Sequence, residues 1–104
     1  MRDALSKNDA VLVAALAELK SINAALGSGS KEQQQKRFRQ WTRLYEKASN
    51  TRSDTQAGLV AKAGFVICEV EMANDAHIPY VGSDIAVSLA NDVVRLLSEA
   101  RTGE

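Results

Sequence analysis

The stretch from Ser30 to Gln56, SKEQQQKRFRQWTRLYEKASNTRSDTQ, spells one helix with both of its ends and the start of the next. Ser30 stands three positions before Gln33, the spacing at which a Ser side chain and a Gln side chain satisfy each other's backbone amides at a helix start. Phe38, Trp41, Leu44, Tyr45 and Ala48 then recur at intervals of three and four, so they share one helical face. Asn50 closes the segment, since Asn tolerates the left-handed conformation past a helix end. Ser53, three before Gln56, opens another helix. Two helices joined by a short polar loop form an antiparallel hairpin.

The same grammar extends in both directions. Ser6 with Asp9 opens a first helix, whose face carries Leu12, Leu16, Leu19, Asn23 and Leu26, and Gly27 ends it. Past the loop, Leu59, Ala63, Val66, Val70 and Ala73 mark the third helix, closed by Asn74 and Asp75 ahead of the lone proline, Pro79. Ser83 and Asp84 start a fourth, with Ile85, Leu89, Val93, Leu96 and Ala100 on one face. Helices are expected at about residues 7–26, 31–48, 54–73 and 84–101. No strand-like alternation of useful length appears. The expected fold is all-α: a single domain over residues 1–104, built as a compact four-helix protein around a central antiparallel helical hairpin.

Composition fits this picture. The hydrophobic fraction is 45% and the aromatic fraction only 5%, so the core must come mainly from Ala, Val, Leu and Ile. The single cysteine, Cys68, excludes an internal disulfide and a multi-thiolate zinc site; it reads as a small buried hydrophobe. The longest apolar run, Ala10 to Ala17, falls far short of the roughly 20 residues of a membrane-spanning helix. The N-terminus lacks a hydrophobic signal core, and a cytoplasmic location is expected. GSGSK at Gly27–Lys31 lacks the Walker spacing and follows a helix, so it reads as a turn.

Charge is distributed unevenly. Between Lys31 and Arg52, seven basic side chains face two acidic ones, a net +5, whereas residues 53–104 carry −5 and residues 1–30 are neutral. On the second helix Lys36, Arg39, Arg43 and Lys47 form a stripe opposite the aromatics, with Glu32 and Glu46 placed to pair with Lys36 and Arg43. Such a stripe is a solvated face, a surface for an acidic protein, or a contact for nucleic-acid phosphates. Pairing with the acidic C-terminal half, within a subunit or across a dimer, is a further expectation.

The third helix carries Ala57, Ala61, Gly64 and Cys68, a stripe of minimal bulk that invites close approach, with the second-helix aromatics as the expected neighbour. Glu69, Glu71, Asp75 and His77 straddle its end without a second His or an i, i+4 His pair. They read as a surface loop. With no nucleophile–base pair and no glycine-rich nucleotide loop, the chain is not expected to be an enzyme, and no catalytic, cofactor-binding or metal-ligating residue is assigned. Val11, Val13 and Ile22 on the first helix, and Val87 and Val94 on the fourth, lie off the main apolar stripes. Helices apolar on more than one face are central or paired with another chain, so a homodimer is the expected assembly.

Thr55-x-Ala57-Gly58-Leu59-x-Ala61-Lys62-Ala63, following an aromatic-bearing helix and a polar loop, resembles a pattern in small helical proteins of alphaproteobacteria and their prophages or mobile elements. There the loop runs TPA-T-x-AG-x-x-AK, and a C-terminal SLA-x-D is similar to Ser88-Leu89-Ala90-Asn91-Asp92 here. Arg52-Ser53-Asp54 departs from the proline and alanine of that loop. The resemblance covers about half of the chain; it implies a bacterial or phage source and a hairpin at 50–56, and it brings no activity. The expected function is a small non-enzymatic protein–protein interaction or regulatory accessory protein. Nucleic-acid binding through the second helix is the alternative.

Overall fold

The computed structural model describes residues 5–25, 27–79 and 82–102, apart from the side chains of residues 100–102. Among them are four helices and no strand: α1 (Lys7–Ala24), α2 (Lys31–Ser49), α3 (Gln56–Asp75) and α4 (Asp84–Thr102). The predicted boundaries hold to within two residues, except that Leu26 and the side chain of Ala100 lie outside the described residues. The extents are 54 × 34 × 20 Å. The shortest of these equals two helix diameters, so the bundle is two layers thick.

The starts follow the predicted chemistry at two of four helices. Ser6 Oγ accepts from the Asp9 amide at 3.0 Å. Ser30 and Gln33 make the full reciprocal box, at 3.2 and 2.8 Å. Ser53 does not cap α3; Thr55 does, accepting from the Ala57 amide. Ser83 turns its hydroxyl to Glu69 Oε1 at 2.6 Å instead of capping α4. At the C-terminus of α2, Asn50 keeps a negative φ of −96° and caps by donating its side-chain amide to the Glu46 carbonyl. The left-handed residue at the end of α3 is His77, with φ 57°. The Ile78 amide reaches the Ala73 carbonyl and the His77 amide reaches that of Asn74, at 2.9 and 3.1 Å. This is a Schellman close with His where Gly is usual.

The helices form a ring in the order α1, α3, α4, α2. α1 runs parallel to α3, as Asp9 near Gly58 and Leu16 near Gly64 show. α3 and α4 are antiparallel, with Lys62 beside Asp92 and Glu69 beside Ser83. The antiparallel pair α2 and α3 spans the diagonal. It meets at the centre, where Tyr45 donates to the Phe65 carbonyl at 2.9 Å and the two rings pack edge to face at 5.0 Å. Leu12, Leu19, Leu44, Ala48, Ala61, Phe65 and Ile85 fill the core.

Four expectations about packing are corrected. Phe38 is 65% exposed and stacks on Trp41 from outside. Ile22, taken for an off-stripe residue, is in the core. The neighbour of the small-residue stripe is α1: Leu16, not an α2 aromatic, lies over Gly64. The inward face of α3 is also rotated from the predicted one. Gly58, Ala61, Lys62 and Phe65 are buried, while Leu59, Ala63 and Val70 are only partly so.

Candidate functional site

Because α2 and α3 occupy opposite corners, the connection at 50–55 must cross the end of the bundle. A chain crossing a core buries backbone amides, and these must find partners. Two carboxylates supply them. Asp9 of α1 accepts from the amides of Asp54 (2.8 Å) and Thr55 (3.1 Å) and from the Thr55 hydroxyl (2.5 Å). Asp92 of α4 accepts from the Ser53 amide at 2.8 Å, and Arg95 donates to the Ser53 carbonyl. Gly58 makes room for this arrangement, since a Cβ there would stand 2.2 Å from Asp9 Oδ1 and 2.8 Å from Ser53 Cβ.

Asp92 is bound from a second side by Lys62, 0% exposed, whose Nζ lies 2.5 Å from Asp92 Oδ2 and 2.7 Å from Ser88 Oγ. Ser88 passes the chain on, donating to the Ser49 carbonyl at 2.8 Å. Burial opposes the charge on Asp92, but the Lys62 ammonium and the Ser53 amide outweigh it and hold the carboxyl below its ordinary range. Thr55, Gly58, Lys62, Ser88 and Asp92, the polar and glycine positions of the two motif segments, thus converge on one buried network. Its charged groups all find partners inside the protein, with the buried Ser53 hydroxyl left without one, which assigns these residues to architecture. Periodicity missed them because it follows apolar spacing and gives Lys62 and Asp92 no place in the packing. The available signal was a lone Lys in the apolar run GLVAKAGFVIC.

The four basic residues singled out from sequence, Lys36, Arg39, Arg43 and Lys47, are all exposed on α2. Among the described residues none of them pairs with a carboxylate, and the expected bridges Glu32–Lys36 and Arg43–Glu46 do not form. From the basic stretch Arg52 pairs with Asp54 of the acidic half at 3.7 Å, whereas among the described residues the four stripe residues find no carboxylate there: Asp92 and Glu99 turn to Lys62 and Arg95. Arg37 stands apart from the stripe, donating to the carbonyls of Ala25 (3.0 Å) and Ser28 to fix the α1–α2 turn.

Beside this face, α2 and the start of α4 enclose an open groove of about 740 Å³ lined by Trp41, Tyr45, Glu46, Glu69, Asp84 and Asp92 among others. Its carboxylates outnumber its one guanidinium, Arg52, so the groove is acidic where the outer face of α2 is basic. The Trp41 indole N–H is buried there without an acceptor.

The remaining candidates resolve into structure. His77 serves the α3 close, and Glu69 is held by Ser83. Cys68 is partly buried and its thiol is pushed up, first by burial and then by the Glu71 charge. No group of His, Cys, Asp and Glu among the described residues is arranged to hold a metal ion. No described helix is long and apolar enough to cross a membrane. No family model matches the chain, and neither a curated protein nor a solved structure matches it.

Proposed function

We propose that this chain is a small non-enzymatic interaction protein, a regulatory or accessory module that binds an acidic surface of another protein through the outer face of α2. The observation that carries this reading is the stripe Lys36, Arg39, Arg43 and Lys47: four cations on one exposed face, none of them paired with a carboxylate among the described residues. Unpaired like charges along one helix repel each other, and an acidic partner relieves that repulsion while steering encounter. A phage or mobile-element origin, which rests on the sequence resemblance, and a cytoplasmic setting belong to the same proposal.

The test is capture from bacterial lysate with the parent chain and with a Lys36→Glu, Arg39→Glu, Arg43→Glu, Lys47→Glu variant of unchanged melting temperature. A partner retained by the parent, lost by the variant and released by salt supports the proposal. Equal retention by both overturns it. The same stripe favours nucleic acid as a second reading. Four phosphate contacts give a log–log salt slope of about −3.6 on duplex DNA, and no binding at low salt eliminates that reading.

A further inference from the structure

The outer faces of α3 and α4 carry a different pattern from α2. On α4, Val87, Ala90, Asn91, Val94, Leu97 and Ser98 are exposed, and the two charges within that span, Asp92 and Arg95, turn inward to the network. On α3 the outward positions are Val60, Ala63 and Ile67, while Lys62 points in. Val60, Ile67, Val87, Val94 and Leu97 are 57–69% exposed. Along α4 the apolar positions fall at i, i+3, i+7 and i+10, and along α3 Val60, Ala63, Ile67 and Val70 do the same. This is the heptad seam of helices that pack on other helices, with β-branched residues at each seven-residue step. Taking about 100° per residue, both seams lie on the outward side of the antiparallel α3–α4 pair.

We infer that this face is where a second copy of the chain docks, α3 and α4 of each protomer forming a four-helix interface across a two-fold axis. Two observations choose a second copy over a different protein. An antiparallel helix pair with a seam on each member is half of a four-helix bundle and is completed by its own image. Between Val60 and Val70 and between Val87 and Leu97 the outward positions of both helices are uncharged, with exposed Glu71 one turn beyond Ile67 at the end of the α3 seam, so two copies meet along the seams without like-charge repulsion and a strongly charged partner finds little there to recognise.

The experiment is sedimentation equilibrium of the full chain over 1–200 µM, for the parent and for Val94→Glu, Val60→Glu and Val13→Glu, each checked for helicity and melting temperature. The parent is expected at twice the chain mass. Val94→Glu and Val60→Glu, by placing unpaired carboxylates near their symmetry mates, raise the dissociation constant by about 100-fold or more. Val13→Glu, on the exposed side of α1, leaves it within threefold. Should a glutamate variant fail to fold, Val94→Ser replaces it, with the same direction expected. A monomeric parent at 200 µM, or dimers persisting in the Val94 and Val60 variants, overturns the inference. The α2 charge-reversal variant remains dimeric here, so failure of this interface and failure of the proposed partner surface give different results.

Discussion

Replacing Lys62 by Met tests the buried network most directly, because Met matches the length of the side chain and removes only its charge and donors. The Lys62 ammonium is 0% exposed and sits 2.5 Å from Asp92 Oδ2 and 2.7 Å from Ser88 Oγ. Removing one member of a buried pair leaves the other charge desolvated, at about 3–5 kcal/mol. Asp92 would still accept from Ser53 and lie 3.4 Å from Arg95, so Lys62→Met belongs near about 3 kcal/mol. Asp92→Ala strands the ammonium and the Ser53 amide together and belongs near about 5 kcal/mol. Against a total stability of about 5–15 kcal/mol, these are large. At about 4–8 °C per kcal/mol for a domain of this size, Lys62→Met lowers the melting temperature by roughly 12–24 °C. The assay is thermal and urea unfolding by circular dichroism, run as a cycle with Asp92→Asn, which keeps an acceptor for Ser53. The double variant should be less destabilised than the sum of the singles by at least about 1 kcal/mol. A Lys62→Met chain melting within a few degrees of the parent, or strict additivity, would refute the argument that the pair is buried and coupled.

Four further outcomes are expected. Gly58→Ala should lose about 1–3 kcal/mol by urea unfolding, because its Cβ meets Asp9 and the Ser53 backbone; Gly64→Ala should be near neutral, since only the mobile tip of Leu16 must give way. His77→Gly should raise stability by about 0.5–1 kcal/mol, as glycine adopts the φ of 57° without strain, and a lower melting temperature would contradict this. The carboxyl of Asp92 titrates lower in the fold than in the unfolded chain. Its contribution is therefore present above the ordinary carboxylate pKa of about 3.9 and is lost as pH falls through the lowered folded value; Asp92→Asn should flatten the loss of stability on the acid side. Cys68, with its thiol pushed up by burial, should react with a disulfide reagent at pH 8 more slowly than the same chain in urea.

Helix number, order and extent were legible because they depend on local chemistry: Ser30 and Gln33 close on each other whatever the rest of the chain does. What periodicity could not supply was arrangement. The hairpin at 50–56 was visible, but its placement on a diagonal was not, since that follows from which faces of α1 and α4 fit best. Ser53 shows the cost. Its spacing to Gln56 imitates a cap, yet the crossing buries it and gives the cap to Thr55. Lys62 and Asp92 were left without a structural role for a related reason: the burial of a charge is not visible until its partner, 30 residues away, is known. The stripe on α2 was recovered intact because nothing in the fold competes for it.

The crossing loop ties the two ends of the chain to its middle. Its amides are satisfied by Asp9 near the beginning and by Asp92 near the end, across 45 and 39 residues of sequence. A nascent chain that has emerged only as far as α3 therefore holds Lys62 with neither of its partners, Ser88 and Asp92, and a crossing loop served by Asp9 alone. Folding to the native state must wait for α4. A product cut short before Asp92 would present proteases with an unfinished bundle, so truncated copies of this protein should be cleared rather than accumulate.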